Sequence, residues 1–171
     1  MLESLHGADA CAAWSLSKTE LGQPCLDGPD APFVSLAHSG EWLACAATPS
    51  GRVGVDIEAL QPRDWPSLHD GFLHPSEAEW VMAVDGHARD VRAYSYWCLK
   101  EAGLKALGIG AVLPLDAIAF SPEGRLVVAP STFGNREAWR TQVHVFDCAV
   151  LAVAWTPGHD RQPQNREAGM K

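Results

Sequence analysis

The chain has 171 residues, 47% hydrophobic and 20% charged, which is typical of a globular protein with one domain or two small halves. Its formal net charge of −8 argues against nucleic-acid binding, which calls for a basic surface, although Lys and Arg are concentrated between residues 89 and 140. Five cysteines without a Cys-x-x-Cys pair predict reduced thiols in a cytosolic protein. The start lacks the features of a signal peptide, and no apolar run is long enough to cross a bilayer.

The first third of the chain predicts three strands after an irregular start. Residues 1–32 contain clusters of Gly, Pro and Asp, and within them we predict a short helix over Ala12 to Leu21. The pattern changes at Phe33, where apolar residues become dense and turn-like "HSG" and "TPSG" divide them. The predicted strands are "FVSLA" (33–37), "EWLACAA" (41–47) and "RVGVDIE" (52–58).

The middle of the chain predicts two helices after the loop "LQPRDWPSLHDG". In "HPSEAEWVMAV", Pro75 and Glu77 have the composition of a helix start. Arg89 to Leu107 is the longer helix, since its apolar residues recur every three or four positions, and Gly108 ends it. The apolar stripe comprises Val91, Tyr94, Cys98, Ala102 and Ala106.

Four more strands and a polar tail follow the long helix. The strands are "AIAF", "RLVVA", "WRTQVHVF" and "AVLAVAW", and the tail from Thr156 is predicted to be disordered. Strands that run together on both sides of one long helix predict an α+β fold with a mainly antiparallel sheet.

Two carboxylates stand two residues apart in "GVDIE". In an extended strand Asp56 and Glu58 share a face, about 6.6 Å apart, with Gly54. Like charges at this distance raise a pKa unless a cation neutralises them. Two interpretations follow: a half-exposed strand with a solvated acidic face, or a hard-metal site that needs a third ligand elsewhere.

The long helix carries "WCLKEAGLK", in which Glu101 and Lys105 lie one turn apart on the same row and Lys100 flanks them. By itself such a pair predicts a surface ion pair worth a few tenths of a kcal/mol.

"GVDIE" on a strand followed by "WCLKEAGLK" on a helix resembles the 4′-phosphopantetheinyl transferases of the surfactin-synthetase-activating type. The signature blocks of that family are (V/I)G(V/I)D(I/V)E and (F/W)xxKEAxxK. Further segments resemble family blocks in the same order, and the resemblance covers Leu21 to about Trp155. These segments are "LGQP" for (Y/L)GKP, "PFVSLAHSGEW" for PxFNxSHSGxW, "FLHPSEAEW" for FFxxxE and "GIGAVLPLDAIAF" for GxGxxxPLxxxxF.

The resemblance implies a cytoplasmic enzyme that uses coenzyme A and Mg²⁺. A serine of an acyl or peptidyl carrier protein, in fatty acid, polyketide or nonribosomal peptide biosynthesis, would attack the β-phosphate, and 3′,5′-ADP would leave. Asp56, Glu58 and Glu101 would hold Mg²⁺, which prefers oxygen ligands. Lys100 and Lys105 would contact the phosphates, with Lys105 at the leaving side. Glu101, or a water held by the metal, would take the serine proton.

Three further site residues rest on the same resemblance. His38 and Ser39 would contact coenzyme A, and Glu77 matches a carboxylate that some members add to the site. A His-Ser-Gly triplet is also typical of a plain turn without a ligand. A serine hydrolase is not indicated, because Gly-x-Ser-x-Gly has Ala37 and Glu41 in place of its glycines.

The sequence departs from the family pattern in its first part. Ser35 and Ala37 replace an Asn and a Ser of the family block, and Lys18 is the one Lys or Arg before Phe33. The resemblance implies two similar, pseudo-twofold halves, with a long helix packed on the C-terminal one. We therefore predict a shortened N-terminal half (1–50), a C-terminal half with the metal and coenzyme A site (51–156) and a polar tail (157–171).

The short start leaves two alternatives to the enzyme. One is a non-catalytic remnant that binds coenzyme A or a carrier domain, and the other is a phosphate-binding structural partner within a synthase. The apolar face of the strands at 33–37 and 42–47 is predicted to be covered by a second copy or another subunit, or else poorly by residues 1–32. The short start also predicts weaker recognition of the 3′-phosphate, so that dephospho-coenzyme A binds nearly as well as coenzyme A.

Overall fold

The computed structural model describes residues 14–110 and 112–158, and these contain nine strands and three α-helices. The strands are β1 (Ser15–Lys18), β2 (Pro24–Asp27), β3 (Phe33–Ser39), β4 (Trp42–Thr48), β5 (Arg52–Ala59), β6 (Ala119–Phe120), β7 (Leu126–Val128), β8 (Arg140–Val145) and β9 (Ala149–Thr156). The helices are α1 (Trp65–Leu68), α2 (Pro75–Met82) and α3 (Gly86–Leu107), and short 3₁₀ helices occupy Leu115–Ala117, Ser131–Phe133 and Arg136–Ala138.

The strands pair in antiparallel fashion throughout the described residues. The largest sheet has the order β5-β9-β8, and two-stranded pairs are formed by β1 with β2, β3 with β4, and β6 with β7. Strands β5 and β9 thus lie side by side, with Asp56 opposite Ala152. The predicted α+β class with antiparallel sheet and one long helix is confirmed; the pseudo-twofold relation of two halves stays a prediction.

Helix α3 lies across this sheet with the predicted apolar stripe inward from Tyr94 to Ala106, whereas Val91, the first residue of that stripe, is only half-buried. Cys98, Ala102 and Ala106 are buried against alanines of β9 such as Ala152, and small residues on both sides allow a close approach. The helix begins at Gly86, three residues before the predicted start, and ends at Leu107, which is followed by Gly108 with a left-handed φ of 70°. Glycine suits this position because it has no Cβ to oppose the left-handed backbone.

Hydroxyl groups of β3 join the β3–β4 hairpin to β5. Ser35 Oγ accepts from the Val55 N–H at 3.0 Å, and Ser39 Oγ accepts from the Ala59 N–H at 3.1 Å. On the same side Val55 packs with Ile57 and alanines of β3 and β4 in a small apolar cluster. Apolar and acidic residues therefore alternate along β5 and point to opposite faces, as the strand period predicts.

The predicted helix over Ala12 to Leu21 is wrong where the structure describes it. Trp14 precedes strand β1, which pairs with β2 from Ser15 to Lys18. A tight turn follows, in which Gly22 has a φ of 81° and its N–H donates to the Thr19 carbonyl at 2.9 Å. The hairpin forms because pairing with β2 satisfies backbone groups that a short, weakly patterned helix would leave open.

Helix α1 stands within the segment predicted as a loop. The remainder of the predicted start (1–13) and most of the predicted tail (159–171) lie outside the described residues. Within the described ranges, no helix is both long and apolar enough to span a membrane. The four cysteines in those ranges are free thiols.

Candidate active site

The site begins where β5 and α3 touch backbone to backbone. A Cβ on Gly54 would stand 1.9 Å from the carbonyl oxygen of Ala102, so glycine is what allows the two elements to come this close. Two residues along the strand, on the same face, Asp56 then reaches the last turn of the helix. There Lys105 Nζ donates to Asp56 Oδ1 at 2.7 Å.

Asp56 is almost completely enclosed, with 6% of its surface exposed. The solvated acidic face, one of the two interpretations of the sequence, is therefore wrong for this carboxylate. Its second oxygen, Oδ2, is buried and has no hydrogen-bond partner within residues 14–110 and 112–158. The Cys98 thiol is close enough, as a weak donor, to oppose the rise that burial causes in the pKa of the Asp56 carboxyl, but the hydrogen bond that the geometry of the thiol supports is to the Val150 carbonyl, at 3.5 Å. A buried, unpartnered carboxylate oxygen costs free energy, and such atoms in native proteins call for an explanation such as an ion.

Glu101 lies one helical turn before Lys105 and is half-buried. Burial raises the pKa of the Glu101 carboxyl, and the negative charges of Asp56 and Glu58 add to this effect, whereas Lys105 opposes it. Burial also raises the pKa of Asp56, against the attraction of Lys105. The three carboxylates therefore share one electrostatic environment.

These residues fit a hard divalent cation by their chemistry. Three carboxylates in mutual electrostatic contact and one orphaned buried oxygen match the oxygen ligands that Mg²⁺ prefers. The oxygens of Asp56, Glu58 and Glu101 do not yet stand at ligand distance around one point. In the described part of the chain, no group of three or more His, Cys, Asp or Glu side chains is placed to hold a metal ion. Glu58 Oε2, for example, accepts from Ser39 Oγ at 2.8 Å.

Lys100 and Glu77 form a separate ion pair in the interior. Lys100 Nζ lies 2.5 Å from Glu77 Oε2, and neither side chain has any exposed surface. Burial lowers the pKa of Lys100, and the attraction of Glu77 opposes the shift. The structure thus does not bring these two residues to the Asp56 cluster, and a fully enclosed ammonium group has no surface to offer to a phosphate.

The remaining contacts of this pair are all to backbone. Lys100 Nζ donates to the carbonyls of Phe72 and Leu115 at 2.5 and 3.0 Å. Glu77 accepts from the N–H groups of His74 and Phe120 at 2.9 and 2.8 Å. With its polar atoms satisfied in this way, the pair ties α2, α3 and two loops together.

The "HSG" residues take two different positions. His38 is exposed on β3, and its side chain points to the opposite face from Ser39. Ser39 faces β5, where its hydroxyl donates to Glu58 and accepts from the Ala59 N–H. Ser39 is therefore placed to orient the Glu58 carboxylate, a role that the sequence did not indicate.

A cavity of about 400 Å³ opens beside Glu58. Its wall is aromatic: Trp65 stands edge-on to Tyr94 with ring centroids 5.0 Å apart, and Phe72 meets Trp97 at 5.5 Å. Arg63, also in the lining, donates from Nε to the Tyr94 hydroxyl at 2.8 Å. The sequence analysis gave these aromatic residues no role in a site, although Trp65 inside the predicted loop "LQPRDWPSLHDG" and Phe72 directly after it were a signal.

Comparison with known proteins gives consistent matches over the same part of the chain. The 4′-phosphopantetheinyl transferase superfamily matches residues 52–156. A phosphopantetheinyl transferase of Thraustochytrium sp. is 37% identical over 120 residues, covering 62% of this chain and 42% of the relative. The 4′-phosphopantetheinyl transferase Sfp of Bacillus subtilis is 36% identical over 104 residues, covering 60% and 45%.

The chain thus spans less than half the length of these two relatives. Among solved structures, the holo-[acyl-carrier-protein] synthase of Thermotoga maritima matches with 23% identity and a TM-score of 0.49, over 61% of this chain and 62% of that one.

Proposed function

The chain belongs to the 4′-phosphopantetheinyl transferase superfamily, as its motifs predicted, and we propose that it transfers the 4′-phosphopantetheine arm of coenzyme A to a carrier-protein serine. The observation that carries the proposal is the buried Oδ2 of Asp56, which lacks a partner among the described residues while Oδ1 binds Lys105. This arrangement joins the two signature blocks at one point. A remnant that only bound coenzyme A or a carrier domain would not require it.

In this proposal Asp56, Glu58 and Glu101 hold Mg²⁺. The metal supplies positive charge that offsets the charge of the pyrophosphate. Metal binding would also oppose the two effects, burial first and then repulsion between the carboxylates, that raise the pKa values of Asp56 and Glu101.

Lys105 and Glu101 take the two active roles. The side chain of Lys105 is one third exposed, so its ammonium group can meet a phosphate oxygen while it remains anchored by Asp56, and it stabilises charge on the leaving side. Glu101 accepts the serine proton, directly or through water.

The other residues that the sequence analysis assigned to the site are also proposed to serve the binding of coenzyme A. His38 is exposed and free to contact a phosphate of coenzyme A, whereas Ser39 acts on the site through Glu58. The aromatic cavity beside Glu58 has the size of a small-molecule site and suits the largely apolar stem of the pantetheine arm. Lys100 and Glu77 support this cavity from the interior, since the Phe72 and Leu115 carbonyls bound by Lys100 belong to its lining residues.

The acceptor is proposed to be an acyl or peptidyl carrier protein in the cytoplasm. A second partner surface is proposed on the β3–β4 hairpin, where Leu43 is 76% exposed and Leu36 is 38% exposed. A second copy or another subunit would cover these side chains, and light scattering of the purified protein would reveal a self-associated form.

The function is tested with purified protein, coenzyme A, Mg²⁺ and a panel of apo carrier domains, with intact mass as the readout. We expect the mass of one phosphopantetheine arm on at least one carrier, loss of the product with a chelator, and no product from Asp56→Asn. Coenzyme A binding by calorimetry without transfer to any carrier would overturn the proposal in favour of the remnant.

A further inference from the structure

We propose that Gln23 is a positioning residue for Lys105, an inference that rests on the proposed function. Gln23 belongs to the "LGQP" segment, which contributes no residue to the Asp56 cluster or to the aromatic cavity. Its side-chain Nε2 donates to the backbone carbonyl of Lys105 at 3.0 Å, although the two residues are 82 positions apart. The N-terminal hairpin thereby touches the residue placed at the leaving phosphate.

The carbonyl that Gln23 binds belongs to the end of α3. The last carbonyls of a helix have no partner in the next turn and need one from elsewhere. Here the Gly108 N–H is shared between the Leu104 and Lys105 carbonyls, at 3.0 and 3.1 Å. Gln23 gives Lys105 a second donor, so the final turn is held from outside as well as from within.

Gln23 also occupies the space beside the helix end. A Cβ built on Gly108 would lie 2.2 Å from Gln23 Oε1, so the glutamine amide is packed where a side chain at 108 would be. Gln23 and the end of α3 therefore pack against each other in addition to forming the hydrogen bond.

Gln23 is itself held in the turn between β1 and β2, so its hydrogen bond to the Lys105 carbonyl can fix the end of α3. We call this bond the clamp. The Thr19 N–H donates to the Gln23 carbonyl at 2.9 Å, and the Gln23 N–H donates to Thr19 Oγ1 at 3.1 Å. Paired strands continue on both sides of this turn, from Ser15 with Asp27 to Lys18 with Pro24. The backbone of Gln23 is thus fixed, and its side chain transmits that position to Lys105.

The consequence is specific to the chemical step. Lys105 Nζ must stay over Asp56 while charge develops on the leaving phosphate, and the backbone of its own turn sets that position. A shift of this turn misplaces the ammonium group of Lys105, whose charge matters most as the leaving phosphate develops charge, and leaves the other proposed contacts to coenzyme A in place. Loss of the clamp should therefore lower kcat more than it changes the KM for coenzyme A.

The test compares two variants of Gln23 with one control in the same hairpin. Gln23→Met keeps the length of the side chain without the N–H donor, and Gln23→Glu keeps its shape. Ser17→Ala removes the Ser17 hydroxyl bond to Asp27, which does not involve α3. Both Gln23 variants should lower kcat about tenfold, since small misplacements in a catalytic site have effects of this order or larger, with KM unchanged within about twofold. Ser17→Ala should leave both constants unchanged.

Amide hydrogen exchange of residues 104–108 supplies a readout that needs no turnover. Exchange in this turn should be faster in both Gln23 variants and unchanged in Ser17→Ala. Absence of transfer by the wild-type protein would sink the proposed function but leave this arm to decide whether Gln23 holds the helix end. Unchanged exchange in Gln23→Met overturns the clamp, and so does an equal fall of kcat in Ser17→Ala.

Discussion

Lys105 and Asp56 form an ion pair, with 2.7 Å between Nζ and Oδ1, that joins the last turn of α3 to the middle of β5. The two side chains differ in accessibility, since 33% of Lys105 is exposed and only 8% of Asp56. The cation can thus meet a ligand from solvent while its carboxylate partner stays enclosed. Because of this asymmetry, Lys105 can bind a phosphate group while its ion pair with Asp56 stays intact. Substitutions at the pair and around it are therefore expected to have different effects on kcat, KM and stability.

Lys105→Ala should lower kcat by about 10²- to 10³-fold, because a preorganised positive charge at a developing anion is lost. The KM for coenzyme A should change little. His38→Ala is the matched comparison, since His38 is exposed and takes no part in the ion pair, and this variant should chiefly raise KM. Steady-state kinetics with varied coenzyme A measures both, and the opposite pattern in the two variants would refute the assigned roles.

Glu101→Gln should abolish transfer and raise the Tm in metal-free buffer at neutral pH. Burial raises the pKa of Glu101, so its ionised form is unfavourable in the folded protein. The native state then holds more protons than the unfolded chain, and stability falls as pH rises from the ordinary value of 4.5 through the raised native value.

Glu101→Gln lacks the titrating carboxyl group, so the difference in Tm between the variant and the wild type should depend on pH. The gain in Tm should be complete at neutral pH, should shrink as the pH falls through the raised native pKa of Glu101 toward 4.5, and should vanish below 4.5, where Glu101 is protonated in both states. Thermal unfolding of both proteins from about pH 3.5 to about pH 7.5 measures it. A Tm that is equal or lower in the variant at neutral pH would contradict the assignment.

Lys100→Met should destabilise the protein by about 3–5 kcal/mol, because it leaves the fully buried Glu77 carboxylate without its cation. The double variant Lys100→Met/Glu77→Gln should recover part of this loss. Urea unfolding measures the stabilities, and the KM for coenzyme A is determined on the folded double variant. A large rise of KM without loss of stability would instead support the phosphate contact predicted from the sequence.

Gly54→Ala should cost about 1–3 kcal/mol or more, since the added methyl group would meet the Ala102 carbonyl and the Ala106 N–H at 1.9 and 2.5 Å. To make room, β5 has to move away from α3, and Asp56 then leaves Lys105. Transfer should be lost together with stability. Val55→Ala, on the other face of the same strand, is the control: it should lower stability by creating a cavity but leave measurable transfer well below its Tm.

Local sequence patterns determined the motifs and the elements that carry them. The period of two in "RVGVDIE" put Asp56 and Glu58 on one face of a strand, and the row from Glu101 to Lys105 follows from the helical period. The family resemblance alone brought the two motifs together, since nothing in either motif indicates that they are neighbours in space. The inferences from periodicity held because strand and helix periods depend on neighbouring residues alone.

Only the tertiary structure decided which charged groups face the site. Lys100 and Glu101 are adjacent in sequence, yet Lys100 points inward to Glu77 and Glu101 toward Asp56, because consecutive residues on a helix point about 100° apart and the packing on either side differs. The hairpin at Ser15–Asp27 and its clamp on Lys105 were equally invisible in the sequence. Both depend on contacts between residues far apart along the chain, whose partners are fixed by burial and by the need to satisfy backbone groups.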